Sequence, residues 1–144
     1  MCIRDRIRTE LEIDLIEGGL PAEDIPEEWN KRYDELLGIK PSNDSEGCLQ
    51  DVHWSEGAFG YFPSYLLGHL ISAQISNQME KDVGLIDNVI ENGEYQKIIS
   101  WLKNNIHKYG RSVNSMELVR AVTNEELTPN YFIKHLRSKI DDFC

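Results

Sequence analysis

Basic charge is scarce in this sequence, as are paired cysteines, long apolar runs and the short motifs of the commonest catalytic sites. Lys and Arg number 15 against 25 Asp and Glu, a net charge of −10 over 144 residues. Nucleic-acid affinity rests on Lys and Arg displacing phosphate counterions, so no nucleic-acid partner is expected, nor an anionic membrane surface. No apolar stretch approaches the ~20 residues of a spanning helix. The most apolar one, residues 61–75, is broken by Ser64, Gly68, His69 and Ser72. Cys2, Cys48 and Cys144 form neither a paired framework nor a CxxC, and residues 1–6 lack the apolar core of a signal peptide. A reduced, cytoplasmic setting is therefore the expectation. HExxH, GxSxG, P-loop and GxGxxG motifs are all missing. The four histidines, His53, His69, His107 and His135, never pair at an i, i+4 spacing. A zinc site needs about three protein ligands, and local spacing assembles none here. No internal repeat, low-complexity tract or useful strand alternation appears.

What is present reads as helix almost throughout. Ile3, Ile7, Leu11 and Leu15 recur every four residues and Gly18-Gly19 supplies a stop. Asp24-Ile25-Pro26-Glu27-Glu28 is a helix start, with proline in the first turn and acids near the positive dipole end. Trp29, Tyr33, Leu36 and Leu37 share one face and Gly38 ends the segment. Residues 39–56 form the one long irregular stretch, and long loops inside compact domains are often functional. From Pro63, the spacing of Leu66, Leu67, Leu70, Ile71, Ile75 and Met79 predicts a long helix ended by Gly84. A short helix over 85–90 stops at Asn92-Gly93. Tyr95, Ile98, Ile99, Leu102 and Ile106 mark another, stopped at Gly110. Asn114 with Glu117 forms a capping pair for a helix over 116–122. Thr128-Pro129 opens the last helix, with Tyr131, Phe132, Leu136 and Ile140 expected to face inward. The fold class is all-α, with six or seven helices.

The residues that could carry chemistry gather at the end of the irregular stretch. Gln50, Asp51, His53 and Trp54 lie beside Phe59, Tyr61, Phe62 and Tyr65. A polar set among aromatics can wall a pocket, orient a substrate and offer donors to developing charge. It can equally tie down a buried loop while the aromatics fill a core. Tyr61 and Tyr65, four apart, could present hydroxyls to one side or pack inward, and both readings stay open. Arg8 and Arg111 could each grip a carboxylate, but a solvated surface arginine is the expectation for both. His69 reads as a satisfied helix histidine, and His107 and His135 as surface or partly buried ones. Cys48 has no base flanking it.

Gly47, Gln50, Asp51, His53 and Trp54 fill every fixed position of G-x-x-Q-D-x-H-W, a pattern of the M32 (carboxypeptidase Taq-like) metallocarboxypeptidases. Phe59-Gly60-Tyr61-Phe62-Pro63 with Tyr65 resembles the family's continuation. Asp24-Ile25-Pro26-Glu27, Asn105-Ile106-His107 and Tyr131-Phe132 agree as well. The resemblance implies a C-terminal fragment of a larger, mostly helical enzyme that releases single residues from peptide C-termini with broad specificity. It implies a divalent metal, zinc, held by an HExxH pair and a glutamate that this chain lacks. Within the chain it implies a substrate-cleft wall. His53 and one of Tyr61 or Tyr65 would contact the substrate or tetrahedral intermediate, and Gln50, Asp51 and Trp54 would line the cleft. Residues 7–144 would be the helical C-terminal region; residues 1–6 fit nothing upstream in the family and read as a foreign start. Implied partners are peptide substrate C-termini, the missing N-terminal catalytic portion and a second copy in a homodimer. Alone, the fragment is expected to show no peptidase activity. The alternative is a non-catalytic acidic helical module that binds a protein.

Overall fold

The computed structural model describes residues 2–143, with side-chain surroundings from Ile3 to Asp141; Met1, Cys144 and the side chains of Cys2, Asp142 and Phe143 lie outside the described set. Seven α-helices run through the described residues, which contain no strand. They are α1 (Cys2–Ile16), α2 (Ile25–Leu37), α3 (Pro63–Val83), α4 (Ile86–Glu91), α5 (Tyr95–Asn105), α6 (Ser115–Thr123) and α7 (Asn130–Phe143). The all-α expectation holds. None of these helices is long and apolar enough to cross a membrane. The chain divides into two compact units, residues 1–67 and 68–144.

In the first unit, α1 ends where Gly18 turns left-handed at φ 81°, and the amides of Gly19 and Leu20 both return to the Asp14 carbonyl. Residues 2–6 continue α1 as its first turn. A 3₁₀ turn at Ala22–Asp24 leads into α2, whose first turn holds Pro26, and Gly38 at φ 64° closes it. Helix α1 packs on α2 around Ile7, Leu11, Trp29, Tyr33 and Cys48, with Leu20, Ile25, Leu37 and Trp54 against them. Trp29 stacks on Tyr33 at 4.7 Å and meets Trp54 edge-on at 5.9 Å. Burial of one such side chain contributes about 1.5–3 kcal/mol, so this aromatic group anchors the unit. Leu36, expected on the same face, instead stays exposed. Trp29, Tyr33 and Leu37 follow one another at four-residue steps and make the packed stripe, and Leu36 falls at its edge.

The second unit is built on α3. Gln74 is buried there, and its amide is fully used: Nε2 donates to Thr123 Oγ1 and to the Glu126 carbonyl, and Oε1 accepts from the Thr128 amide, all at 3.0–3.1 Å. That bonding ties the α6–α7 connection to α3. Met79, Val89, Trp101 and Val119 are the other buried side chains, and Trp101 Nε1 donates to Asp82 at 2.7 Å. Asn114 and Glu117 form the expected capping box at the start of α6. Along α5 the buried residue is Trp101, whereas Tyr95 and Ile99 remain exposed. Helix α7 departs further from expectation. Phe132 in its first turn stacks on His69 at 5.7 Å, but Leu136 and Ile140 are 45% and 61% exposed rather than inward. The unit holds this helix by its first turn, and the described residues beyond it, 133–141, are exposed.

Candidate functional site

No helix or strand interrupts residues 38–62. Short turns order the segment: Leu49 N–H bonds the Asp44 carbonyl at 2.8 Å, Gln50 N–H bonds Gly47, and Ala58 N–H bonds His53 at 2.8 Å. Gly47 is packed closely, since a Cβ there would lie 3.4 Å from Asn30 Oδ1, the Asn43 carbonyl and Pro41 Cβ.

Helix α1 supplies what the turns do not. Asp5, Arg8 and Glu12, one helical turn apart, are all buried on the stripe that carries Ile7 and Leu11. The Arg8 guanidinium donates through Nη2 to Asp5 at 2.7 Å and through Nη1 to Asp51 at 2.5 Å, and lies 4.3 Å above the Phe62 ring. Arg8 is thus a buried, doubly paired cation, not the solvated surface arginine expected. The expectation failed because the second carboxylate comes from 43 residues along the chain. Arg111, in contrast, is exposed. Glu12 accepts from Trp54 Nε1 at 2.8 Å and from the Gly60 amide at 3.1 Å, which fastens both ends of the 54–60 turn to α1. Gly60 sits at φ 74° with open space where a Cβ would point. Gly60→Ala should therefore cost about 1–2 kcal/mol of stability through backbone strain alone, read as a lower denaturation midpoint with an unchanged slope.

These anchors deliver His53 into an aromatic corner. Its ring centroid lies 4.8 Å from Phe62, 5.6 Å from Tyr61 and 6.1 Å from Tyr65. His53 Nε2 shares a hydrogen bond with the Tyr65 hydroxyl at 3.1 Å. Its Nδ1 is buried, has no hydrogen-bond partner among the described residues, and faces Asp51 Oδ1 at 3.9 Å. Tyr61 packs edge-on against Tyr65 at 5.3 Å and is half exposed. Of the residues singled out in the sequence, Asp51, His53, Tyr61 and Tyr65 come together. Trp54 is partly buried with its indole N–H committed to Glu12, and Gln50 is exposed. Asp5 and Glu12 were not among them, and Arg8 was expected in solvent. Their signal was charges of alternating sign at helical spacing on an otherwise apolar stripe.

Two other chemistries find little support. Burial, and secondarily the Asp44 charge, push the Cys48 thiol above its ordinary range, so little thiolate forms. Cys48 should accept iodoacetamide only as the chain unfolds, as peptide mass mapping would register. Among the described residues no group of three or more His, Cys, Asp or Glu side chains gathers to hold a metal ion. Asp51 is occupied by a guanidinium and His53 Nε2 by a phenol, so the donor set present does not fit a metal centre.

The helical scaffold matches those of solved metallocarboxypeptidases. The BsuCP crystal structure superposes with a TM-score of 0.91 at 38% identity, over 97% of this chain and 28% of its own length. Trypanosoma cruzi metallocarboxypeptidase 1 gives 0.87 at 39%, over 94% and 29%. The M32 carboxypeptidase from Deinococcus radiodurans R1 gives 0.89 at 30%, over 95% and 28%. In sequence, carboxypeptidase 1 of Bacillus subtilis is 41% identical over 133 residues, 92% of this chain and 26% of that protein. Thermostable carboxypeptidase 1 of Pyrococcus furiosus is 36% identical over 92% of this chain and 27% of its own length. The profile of the carboxypeptidase Taq (M32) metallopeptidases matches residues 6–140, and the chain belongs to that family. It spans about a quarter of the length of the relatives it matches.

Proposed function

We propose that this chain forms one wall of the substrate cleft of a metallocarboxypeptidase that releases C-terminal residues from peptides with broad specificity. The single observation that carries the reading is the partly buried Arg8–Asp51 pair set behind His53, which in turn bonds Tyr65 beside the half-exposed Tyr61. A loop that only needed fastening would be served by Glu12 alone. Here a partly buried ion pair also stands behind an imidazole and two phenols gathered at one spot. Such a cluster suits polar contacts to the scissile carbonyl, where donors that meet developing negative charge are worth most.

In this reading His53, Tyr61 and Tyr65 face the reacting group, while Gln50, Asp51 and Trp54 shape the cleft. The divalent metal of the family, which we take to be zinc, is held by residues outside this chain. Residues 7–144 act as the helical C-terminal part of the enzyme. The partners are the peptide's C-terminus, the N-terminal catalytic portion and a second copy in a homodimer. The apolar residues left uncovered on α7 (Ile133, Leu136 and Ile140) suit such partners. A reduced cytoplasm suits the unpaired Cys48.

The test is reconstitution in trans. The purified chain is mixed with a separately expressed N-terminal portion of the Bacillus subtilis relative, and release of a C-terminal residue from a blocked dipeptide is followed with and without chelator. Chelator-sensitive hydrolysis that needs both pieces supports the proposal. A tight complex that loads metal and hydrolyses nothing favours the acidic interaction module instead.

A further inference from the structure

We propose that Arg8 is a positioning residue of this site. Through Asp51 it holds His53 in its Nδ1–H tautomer, which commits the Tyr65 proton to His53 Nε2 and leaves Tyr61 as the hydroxyl open to a bound oxygen.

A neutral imidazole has one N–H and one lone pair, and the neighbours of its two nitrogens decide which is which. Four side chains face His53: Asp51, Tyr61, Phe62 and Tyr65. Only Asp51 approaches Nδ1, and a carboxylate accepts hydrogen bonds but cannot donate one. A buried lone pair on Nδ1 would therefore point at a carboxylate oxygen with no donor available, whereas an N–H there is attracted to it. Asp51 cannot turn away to relieve the contact. Its Oδ2 is held at 2.5 Å by Arg8 Nη1, and Arg8 is itself fixed by Asp5 and by the Phe62 ring beneath it.

With the proton on Nδ1, Nε2 is an acceptor, and the 3.1 Å contact to Tyr65 must run from the phenol O–H to the ring. Tyr65 then has only lone pairs left to offer. Tyr61 is half exposed, and among the described residues nothing bonds its hydroxyl. Its ring is held edge-on to Tyr65 and tilted over His53, so the phenol is oriented yet unspent. In chain order, a charge on α1 sets a carboxylate in the loop, the carboxylate sets a tautomer, and the tautomer divides the labour between two tyrosines.

This inference rests on the cleft reading for its meaning, but its test does not use catalysis. The full 144-residue chain is labelled with ¹⁵N-histidine, and long-range ¹H–¹⁵N correlation spectra assign pyrrole-type and pyridine-type nitrogens, with His53→Gln identifying the signals. The expected result is a pyrrole-type Nδ1 and a pyridine-type Nε2 at His53. Arg8→Met should lose that pattern in favour of averaged or Nε2–H signals, and Arg8→Lys, which keeps the charge, should restore it in part. Tyr65→Phe should leave Nδ1 protonated, since Asp51 and not the phenol sets the tautomer. A wild-type His53 carrying its proton on Nε2 overturns the proposal whatever the variants do. So does an unchanged tautomer in a folded Arg8→Met chain. An Nδ1–H His53 in a reconstituted but inactive enzyme leaves this inference standing and sinks only the cleft reading.

Discussion

Replacing His53 by alanine should lower kcat by about 10²–10³ with a much smaller change in KM, the size of effect seen when a preorganised donor to a developing oxyanion is lost. The measurement needs an active context: Bacillus subtilis carboxypeptidase 1 carrying this chain in place of the 133 residues it matches. His53 is where the site converges. Asp51, Tyr61, Phe62 and Tyr65 all meet its ring. Truncation removes the partner of the Tyr65 hydroxyl and the ring against which Tyr61 leans, so two phenols lose their orientation at once. Positioning losses of this kind fall on the transition state more than on ground-state binding. Metal content should stay equal between the two chimeras, because in this reading the metal ligands come from the rest of the enzyme and both chimeras carry them unchanged. A matched fall in metal content would mean that His53 supports the metal site instead.

The second large effect is on stability. Arg8→Met should destabilise the chain by about 3–5 kcal/mol, because removing one member of a buried ionic group leaves the others charged and unpaired. Asp5 and Arg8 are 1% and 6% exposed, and Asp5 already has one oxygen, Oδ2, without a partner. Deleting the guanidinium strips Asp5 of its paired oxygen as well and frees Asp51 to swing. A typical domain holds only about 5–15 kcal/mol in total, so the variant should melt early or fail to fold. Denaturant titration of the wild type and Arg8→Met chains gives the difference directly. Arg6→Ala is the control, as Arg6 makes a solvent-exposed i, i+4 pair with Glu10, and exposed pairs contribute at most about 1 kcal/mol.

Much of the fold was legible in the residues because its signals are local. Gly38, Gly93 and Gly110 all take positive φ at the points where helices or turns end, and the Asn114–Glu117 box needs only four residues to form. The loop around residues 47–54 was legible for the same reason, since turn-forming residues break the helical period there. Burial was harder. The 3.6-residue period shows which side chains share a face, not whether anything covers it, and Leu36, Leu136 and Ile140 are exposed for that reason. Arg8 shows the opposite failure. A charge on a helix belongs in solvent unless a partner waits inside, and Asp51 is contributed by a distant loop. Spacing alone also left two readings open for Tyr61 and Tyr65. Membership of the M32 family, from the match over residues 6–140, supplies the peptidase context that local chemistry could not.

Steady-state hydrolysis of a blocked dipeptide by the chimera, run beside its His53→Ala variant with metal content measured on both, tests the central claim most directly. The account predicts chelator-sensitive release of the C-terminal residue by the first and a loss of about 10²–10³ in kcat at equal metal content in the second. A folded, metal-loaded chimera that releases nothing, or a His53→Ala variant as fast as its parent, would contradict the claim that this wall faces the substrate.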